Sequence, residues 1–282
     1  MTEGIRRSLV SSGSLASAFL ITAAIGLAQP TTQLDLTGLT GPSGVTSSAS
    51  DCYSLAYVCT SPYVAEVGGS SVSTNVICDD FFDESFVPED WNAYVATMSP
   101  SSYTITNGSN LLYTGATVTN PNNTSQTLTL NQQQAYETAA LLAEDILAIN
   151  PPSQLSAALD SYALWGLFDP TGSQVDSPNN LGAFTWLDYY GVSSTEITSA
   201  ETVLWDAAET ILSPTGTAAL DGATVTIYSY DSCISGPCTS TRPQEFIVVS
   251  NMPEPPSVAM LGADLLAVAG LFFFFRRRLD RN

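Results

Sequence analysis

The sequence predicts an α+β fold: a β-sandwich with a three-helix insertion, preceded by an N-terminal export signal and followed by one C-terminal transmembrane helix. Three observations predict it. Between residues 61 and 130, short runs rich in Thr, Val and Tyr alternate with Gly/Asn/Pro turns, as in "YVAEV", "STNVICDDFF", "NAYVATM", "SYTIT" and "LLYTGATVT". That is the pattern of half-buried strands. Between 131 and 212 the apolar residues change to a helical period. Strands then return at "ATVTIYSYD" and "PQEFIVVS". Strands on both sides of a helical block point to helices segregated to one side of an antiparallel sheet.

Residues 1–28 read as an export signal. Arg6 and Arg7 precede an apolar run that ends in the small residues Gly26 and Ala28, in the order of a cleavable secretion signal. "RRSLV" also echoes a twin-arginine signal, so the export route stays open between the two. Residues 29–60 are polar, Gly/Ser/Thr-rich and poor in large apolar side chains, which predicts a flexible leader. The body is then 61–250.

The helices are predicted at about 131–149, 153–168 and 194–212. The first places Tyr136, Ala140, Ala143 and Leu147 on one face, with Asn131 as cap and "NPP" at 150–152 as its stop. The second repeats the pattern through Leu155, Ala158, Leu159, Tyr162 and Trp165. In the third, Ile197, Ala200, Leu204, Ala207 and Ile211 make the buried stripe. Ser193 with Glu196 and Thr198 with Glu201 are alternative capping boxes for it.

Residues 251–282 carry Pro253-Glu254-Pro255, an apolar run over 257–275, and Arg276, Arg277 and Arg278. The run makes about 28 Å of helix, enough to span a bilayer core. The arginines hold the C-terminus in the cytoplasm and leave the body outside. Asp264, near mid-span, costs about 2.5–3.5 kcal/mol there and makes the anchor marginal.

This tail resembles the PEP-CTERM sorting signal of Gram-negative bacteria, departing from it at Met252, where valine is usual, and at Asp264. The resemblance implies recognition by an exosortase and the export machinery. It implies a precursor held in the inner membrane through 257–275 with its domain in the periplasm. Cleavage near Pro-Glu-Pro would then deliver the protein to the cell envelope or the extracellular matrix.

Composition narrows the chemistry. The chain has no histidine and no lysine, and its net charge is -20. Of its acidic residues only Glu3, Glu254, Asp264 and Asp280 lie outside 29–252, whereas Arg242 is the single basic residue inside that span. A serine–histidine–aspartate triad, a Walker lysine and a pyridoxal Schiff base are all excluded. Nucleic acid would be repelled. No cofactor is expected, and the reading is of a non-enzymatic binding or structural protein.

Five cysteines leave one over if the others pair. Cys52 with Cys59 and Cys233 with Cys238 close short loops, worth roughly 2–2.5 kcal/mol each, and Cys78 is then the odd thiol. The long-range alternative joins Cys52 to Cys78. The run "CDDFFDE" adds Asp79, Asp80, Asp83 and Glu84. It reads as a strand ending in a solvated acidic turn, with calcium as the metal such oxygens would suit. A carboxylate-based polysaccharide hydrolase is a further alternative, since it needs two acids about 5–10 Å apart. "WLDYYG" at 186–191 is the best exposed candidate for stacking on sugar, and an exopolysaccharide or surface ligand is the expected partner.

"VICDDFF", "AYETAALLAEDIL" and "DSYALWGLF" together resemble the thioester domains of surface adhesins. In that family a cysteine sulfur is acylated by a glutamine side chain, and the thioester traps a nucleophile on a host surface. The resemblance implies Cys78 as the thiol and Asp80, Ser161 and Trp165 as its motif neighbours. The motif's glutamine falls on Ser161, which has no carboxamide. Gln154 and Gln132–Gln134 lie elsewhere on the helices. The sequence therefore offers a thiol without its acyl partner.

Overall fold

The computed structural model describes residues 30–40, 46–47, 54–60, 62–81, 85, 87–99, 102–148, 154–169, 181–214, 216, 220, 222–233 and 243–250. The export signal, the sorting tail, Cys52, Asp83, Glu84 and Cys238 lie outside the described residues. Among the described residues no helix is long and apolar enough to cross a membrane.

The strands are β1 (Thr31–Thr40), β2 (Thr46–Ser47), β3 (Ser54–Leu55), β4 (Val58–Cys59), β5 (Tyr63–Val67), β6 (Ser73–Cys78), β7 (Glu89–Met98), β8 (Ile105–Thr106), β9 (Gly115–Thr119), β10 (Thr127–Asn131), β11 (Thr224–Cys233) and β12 (Phe246–Ser250). The main sheet runs β2-β1-β5-β6-β12-β11-β7-β8, and β1 also pairs with β7. This closes the sheet. β1 meets β5 along one edge, with Leu34 opposite Val67, and β7 along the other, with Leu34 opposite Trp91. The predicted sandwich is therefore corrected to a barrel-like antiparallel sheet. The physical reason is β1, whose two occupied edges leave the central strands no open edge to protect.

The same strand corrects the predicted leader. Leu34, Leu36 and Leu39 are buried, and "LDL" has the period-two alternation of a strand. Its Thr and Gly neighbours hid that alternation among flexible-looking residues.

Alternation along the strands sorts the core into two layers. Leu34, Leu36, Val76, Cys78, Trp91, Ala93 and Phe246 share one face and pack together, joined by Tyr162, Trp165 and Trp186 of the helical block. Ile77, Ile227 and Ile247 face the other way, against the helices. Those are α1 (Gln132–Ala148), α2 (Gln154–Phe168), α3 (Ala183–Tyr189) and α4 (Ser194–Leu212). α1, α2 and α4 follow the sequence expectation closely. Asn131 caps α1, its Oδ1 accepting from Gln134 N at 3.0 Å. Ser193 and Glu196 form the capping box of α4; Thr198 and Glu201 lie inside the helix. α3 is the addition, a short helix whose Trp186 and Leu187 are buried.

Candidate functional site

β6 ends at Cys78 and lies beside β12, with Cys78 opposite Phe246 and Ile77 opposite Ile247. The pairing continues one residue further, where Asp79 N donates to Glu245 O at 3.3 Å. Successive side chains point to opposite faces of a strand. Cys78, Phe246 and Gln244 therefore share the inner face, while Asp79 and Glu245 share the outer one. Cys78 and Gln244 are diagonal cross-strand neighbours, within reach of each other's side chains.

Both side chains turn to one oxygen. Cys78 Sγ donates to Asp80 O at 3.0 Å, and Gln244 Nε2 donates to the same Asp80 O at 2.8 Å. Thiol and carboxamide thus flank a single acceptor, no more than about 6 Å apart, the span of two hydrogen bonds. The far side of the carboxamide faces Tyr63, whose hydroxyl lies 3.5 Å from Gln244 Oε1, a long contact. Gln244 N donates to Ser85 Oγ at 3.0 Å.

Cys78 is a free, buried thiol, which removes the Cys52–Cys78 alternative. Cys59 is disulfide-bonded. Burial pushes the Cys78 thiol well above its ordinary pKa, and the Asp80 carboxylate beside it adds to the effect. The sulfur therefore rests as S–H, unreactive toward bulk oxidants.

Of the motif neighbours, the fold brings Trp165 to the cysteine and leaves Ser161 away from it. Trp165 Nε1 donates to Cys78 O at 2.9 Å. Ser161, one turn earlier on α2, gives its hydroxyl to Thr60 O at 3.1 Å and Ala157 O at 3.0 Å. Trp165→Phe removes the donor and strands a buried carbonyl, so it is expected to lower stability by about 1–3 kcal/mol, read as a shifted urea midpoint.

Behind this face lies an enclosed group of acids. Asp79 and Asp80 are both 0% exposed, so the predicted solvated turn is corrected: both are buried against α1 and the segment before β9. Tyr113 OH donates to Asp80 Oδ1 at 3.1 Å. Glu245 accepts from Tyr136 OH at 2.5 Å, from Leu112 N at 3.0 Å and from Ser229 Oγ. Neither Asp79 oxygen has a hydrogen-bond donor among the described residues.

Burial pushes the Asp79 pKa well up, and Glu245 and Asp80 beside it push it further. Burial also raises Glu245, but the Ser229, Tyr136 and Leu112 donors pull it back. The asymmetry assigns the charges: Glu245 is the carboxylate and Asp79 the neutral acid. For the predicted calcium ligands, no set of three His, Cys, Asp or Glu among the described residues could hold a metal ion.

Sequence reading missed Gln244 because "RPQEFIVVS" presents itself as the start of a strand. The available signal was positional. A strand running beside the cysteine strand must offer its own alternating residues to the same face.

No family model matches the chain, and neither does any curated protein. Among solved structures, the chain is similar to the N-terminal thioester domain of fibronectin-binding protein SfbI from Streptococcus pyogenes. The two are 11% identical, with 78% of this chain and 92% of that one covered, at a TM-score of 0.34. A likeness that weak leaves the reading of this chain to its own geometry.

Proposed function

We propose that this is an exported cell-envelope or matrix protein that forms an internal thioester between Cys78 and Gln244 and uses it for covalent attachment to a partner outside the cell. The observation that carries the reading is the shared acceptor: thiol and carboxamide meet at Asp80 O, at the buried end of the β6–β12 pair. In the forming step the Cys78 sulfur adds to Gln244 Cδ, the C–N bond breaks, and the thiol proton leaves with the nitrogen as ammonia. Tyr63 OH faces the carbonyl oxygen on which negative charge develops. In the attachment step a partner's amine or hydroxyl attacks the same carbon, and the sulfur leaves and takes up the nucleophile's proton.

Two features of the chain suit such a bond. Burial keeps water from the site, which slows hydrolysis of an acyl group waiting for a partner. The absence of lysine means that no side-chain amine of this chain or of a neighbouring copy competes for the acyl carbon. Export and the sorting tail belong to the same proposal, since a thioester serves attachment only where it meets a foreign surface.

Intact mass of the protein recovered from the cell exterior tests the reading. The expected mass is lower by one ammonia than the processed sequence requires. Methylamine should then be retained on residue 244, with the Cys78 thiol released. A full mass, with a thiol unchanged by methylamine, would overturn it.

A further inference from the structure

We propose that the hairpin formed by β3 and β4 is a strap over the Cys78 site, held down by Ser161, Tyr162 and Trp186, and that its release admits the nucleophile. The purpose of the strap rests on the thioester reading above, whereas its geometry does not. Cys78 is 5% exposed, so no macromolecular nucleophile reaches an acyl group there until a covering element moves.

The hairpin turns on Ala56 and Tyr57, both with left-handed φ, 51° and 67°. A two-residue turn of this hand suits Asn and Gly, and a residue with a Cβ is strained in it. Such strain persists only where the surroundings impose it. Here the helices impose it. Tyr162 OH donates to Leu55 O at 3.1 Å, Trp186 Nε1 to Ala56 O at 2.9 Å, and Ser161 Oγ to Thr60 O at 3.1 Å. The exposed ring of Tyr57 meets Tyr190 edge-on at 5.1 Å. The ladder itself has only two residue pairs, Ser54 with Cys59 and Leu55 with Val58. A hairpin that short does not hold itself in water, so the side chains of α2 and α3 decide whether it lies down. Ser161 thereby gains a role: the residue at the motif's glutamine position is a latch.

Beneath the strap lies a layer of rings. Phe81 packs on Tyr162 at 5.9 Å, on Trp165 at 5.4 Å and on Trp186 at 6.0 Å. All four belong to the packed group that contains Cys78. Tyr162 and Trp186 give their polar hydrogens to the strap, while Trp165 gives its own to Cys78 O. The order from solvent inward is strap, rings, thiol. The strap also leads into β5, whose first residue, Tyr63, faces Gln244 Oε1. Lifting residues 54–60 therefore frees the outer edges of the rings and loosens the segment that carries Tyr63. Covers that move are drawn from the low-stability end of a fold, and a latched, strained hairpin belongs there.

The test reads access to the thiol without needing the thioester. The protein carrying Gln244→Ala, or Gln244→Glu as a second background, has no acyl donor at residue 244, so its Cys78 is a plain thiol. Alkylation by iodoacetamide is followed by mass, with the site located by peptide mapping. Adding Ser161→Ala or Tyr162→Phe removes one latch and should speed labelling of Cys78 about fivefold, the worth of one hydrogen bond. The gain should be the same with and without low urea, because release of the strap exposes little surface. Leu204→Ala, in the other layer of the core, should lower the urea midpoint and leave the labelling rate unaltered. Labelling at the background's rate in both latch variants would overturn the proposal. So would labelling that rises with low urea, or that Leu204→Ala speeds as much, because Cys78 would then be reached by unfolding and not by release of the strap. None of these results bears on the thioester, which is read by the missing ammonia of the unsubstituted protein.

Discussion

Gln244→Ala is expected to restore the full processed mass and to abolish methylamine uptake, as is Cys78→Ala. The effect is all-or-none, because a thioester lacking either half does not form. Other glutamines are already spent or distant. Gln132 Nε2 donates to Tyr113 O at 2.8 Å, and Gln133 Nε2 to Glu137 Oε1 at 2.9 Å. Gln134 Oε1 accepts from Asn131 N at 3.1 Å, and Gln154 starts α2, two turns before Ser161. Substituting any of these by alanine should leave the missing ammonia in place. Gln244→Glu is the control for folding. It keeps the volume and the backbone bonds of the site but offers sulfur a carboxylate, which is a poor acyl donor, and so should fold with full mass. A Gln244→Glu protein still lacking the mass of ammonia would move the acyl group to another residue.

The contrast between Cys78 and Gln244 shows what the sequence could tell. Cysteine counting singled out Cys78, because pairing the two short loops leaves one thiol over. Gln244 carries no comparable mark. Its relation to the thiol spans 164 residues between Asp80 and Gln244, and it exists only because β12 enters the sheet beside β6. The same limit governs the fold. The periods and caps of α1, α2 and α4 are local, so those helices were legible nearly to the residue. Closure of the sheet depends on β1 meeting β7, a pairing of Thr31 with Tyr94 that local alternation does not announce. A period of two says that one face of a strand is buried. It does not say which strand lies at its edge, and so leaves a sandwich and a barrel equally open.

The buried acids were illegible for a different reason. Four acids in six residues read as a solvated turn, since an unpaired carboxylate in the core is costly. The structure offsets that cost with donors from distant elements: Tyr113 for Asp80, and Tyr136, Ser229 and Leu112 N for Glu245. Asp79 receives none, and protonation is what remains to it. Because the acids sit on the outer face of the strand pair that carries Cys78 and Gln244, their protonation bears on how firmly that pair is held.

Stability is therefore expected to rise as pH falls from 8 to 5. The unfolded Asp79 ionises near pH 3.9, whereas the folded one keeps its proton to a pH well above that. A raised folded pKa contributes stability that is fully present below the unfolded value and is lost as pH rises through the folded one. Across that window unfolding releases a proton, and each pH unit removes up to about 1.4 kcal/mol. Asp160 acts in the same direction over a shorter range. Its pKa is pushed up to about 6 by burial and by Asp145, so its share is spent by about that pH and is reduced by its partial exposure. Glu245, whose pKa burial also raises, acts in the same direction, so the Asp79 share has to be isolated by substitution. Asp79→Asn isolates it: the amide stays neutral at every pH and can donate to the Glu245 carboxylate. That variant should be more stable than the parent at pH 8 and should show a shallower slope than the parent between pH 6 and 8. Glu245→Gln, by contrast, leaves Tyr136, Ser229 and Leu112 N facing a weaker acceptor and should be less stable than the parent at pH 8. Urea midpoints at pH 5, 6.5 and 8 decide the matter. Stability that climbs with pH, or an Asp79→Asn protein with the parent's slope, would place the proton on a group other than Asp79.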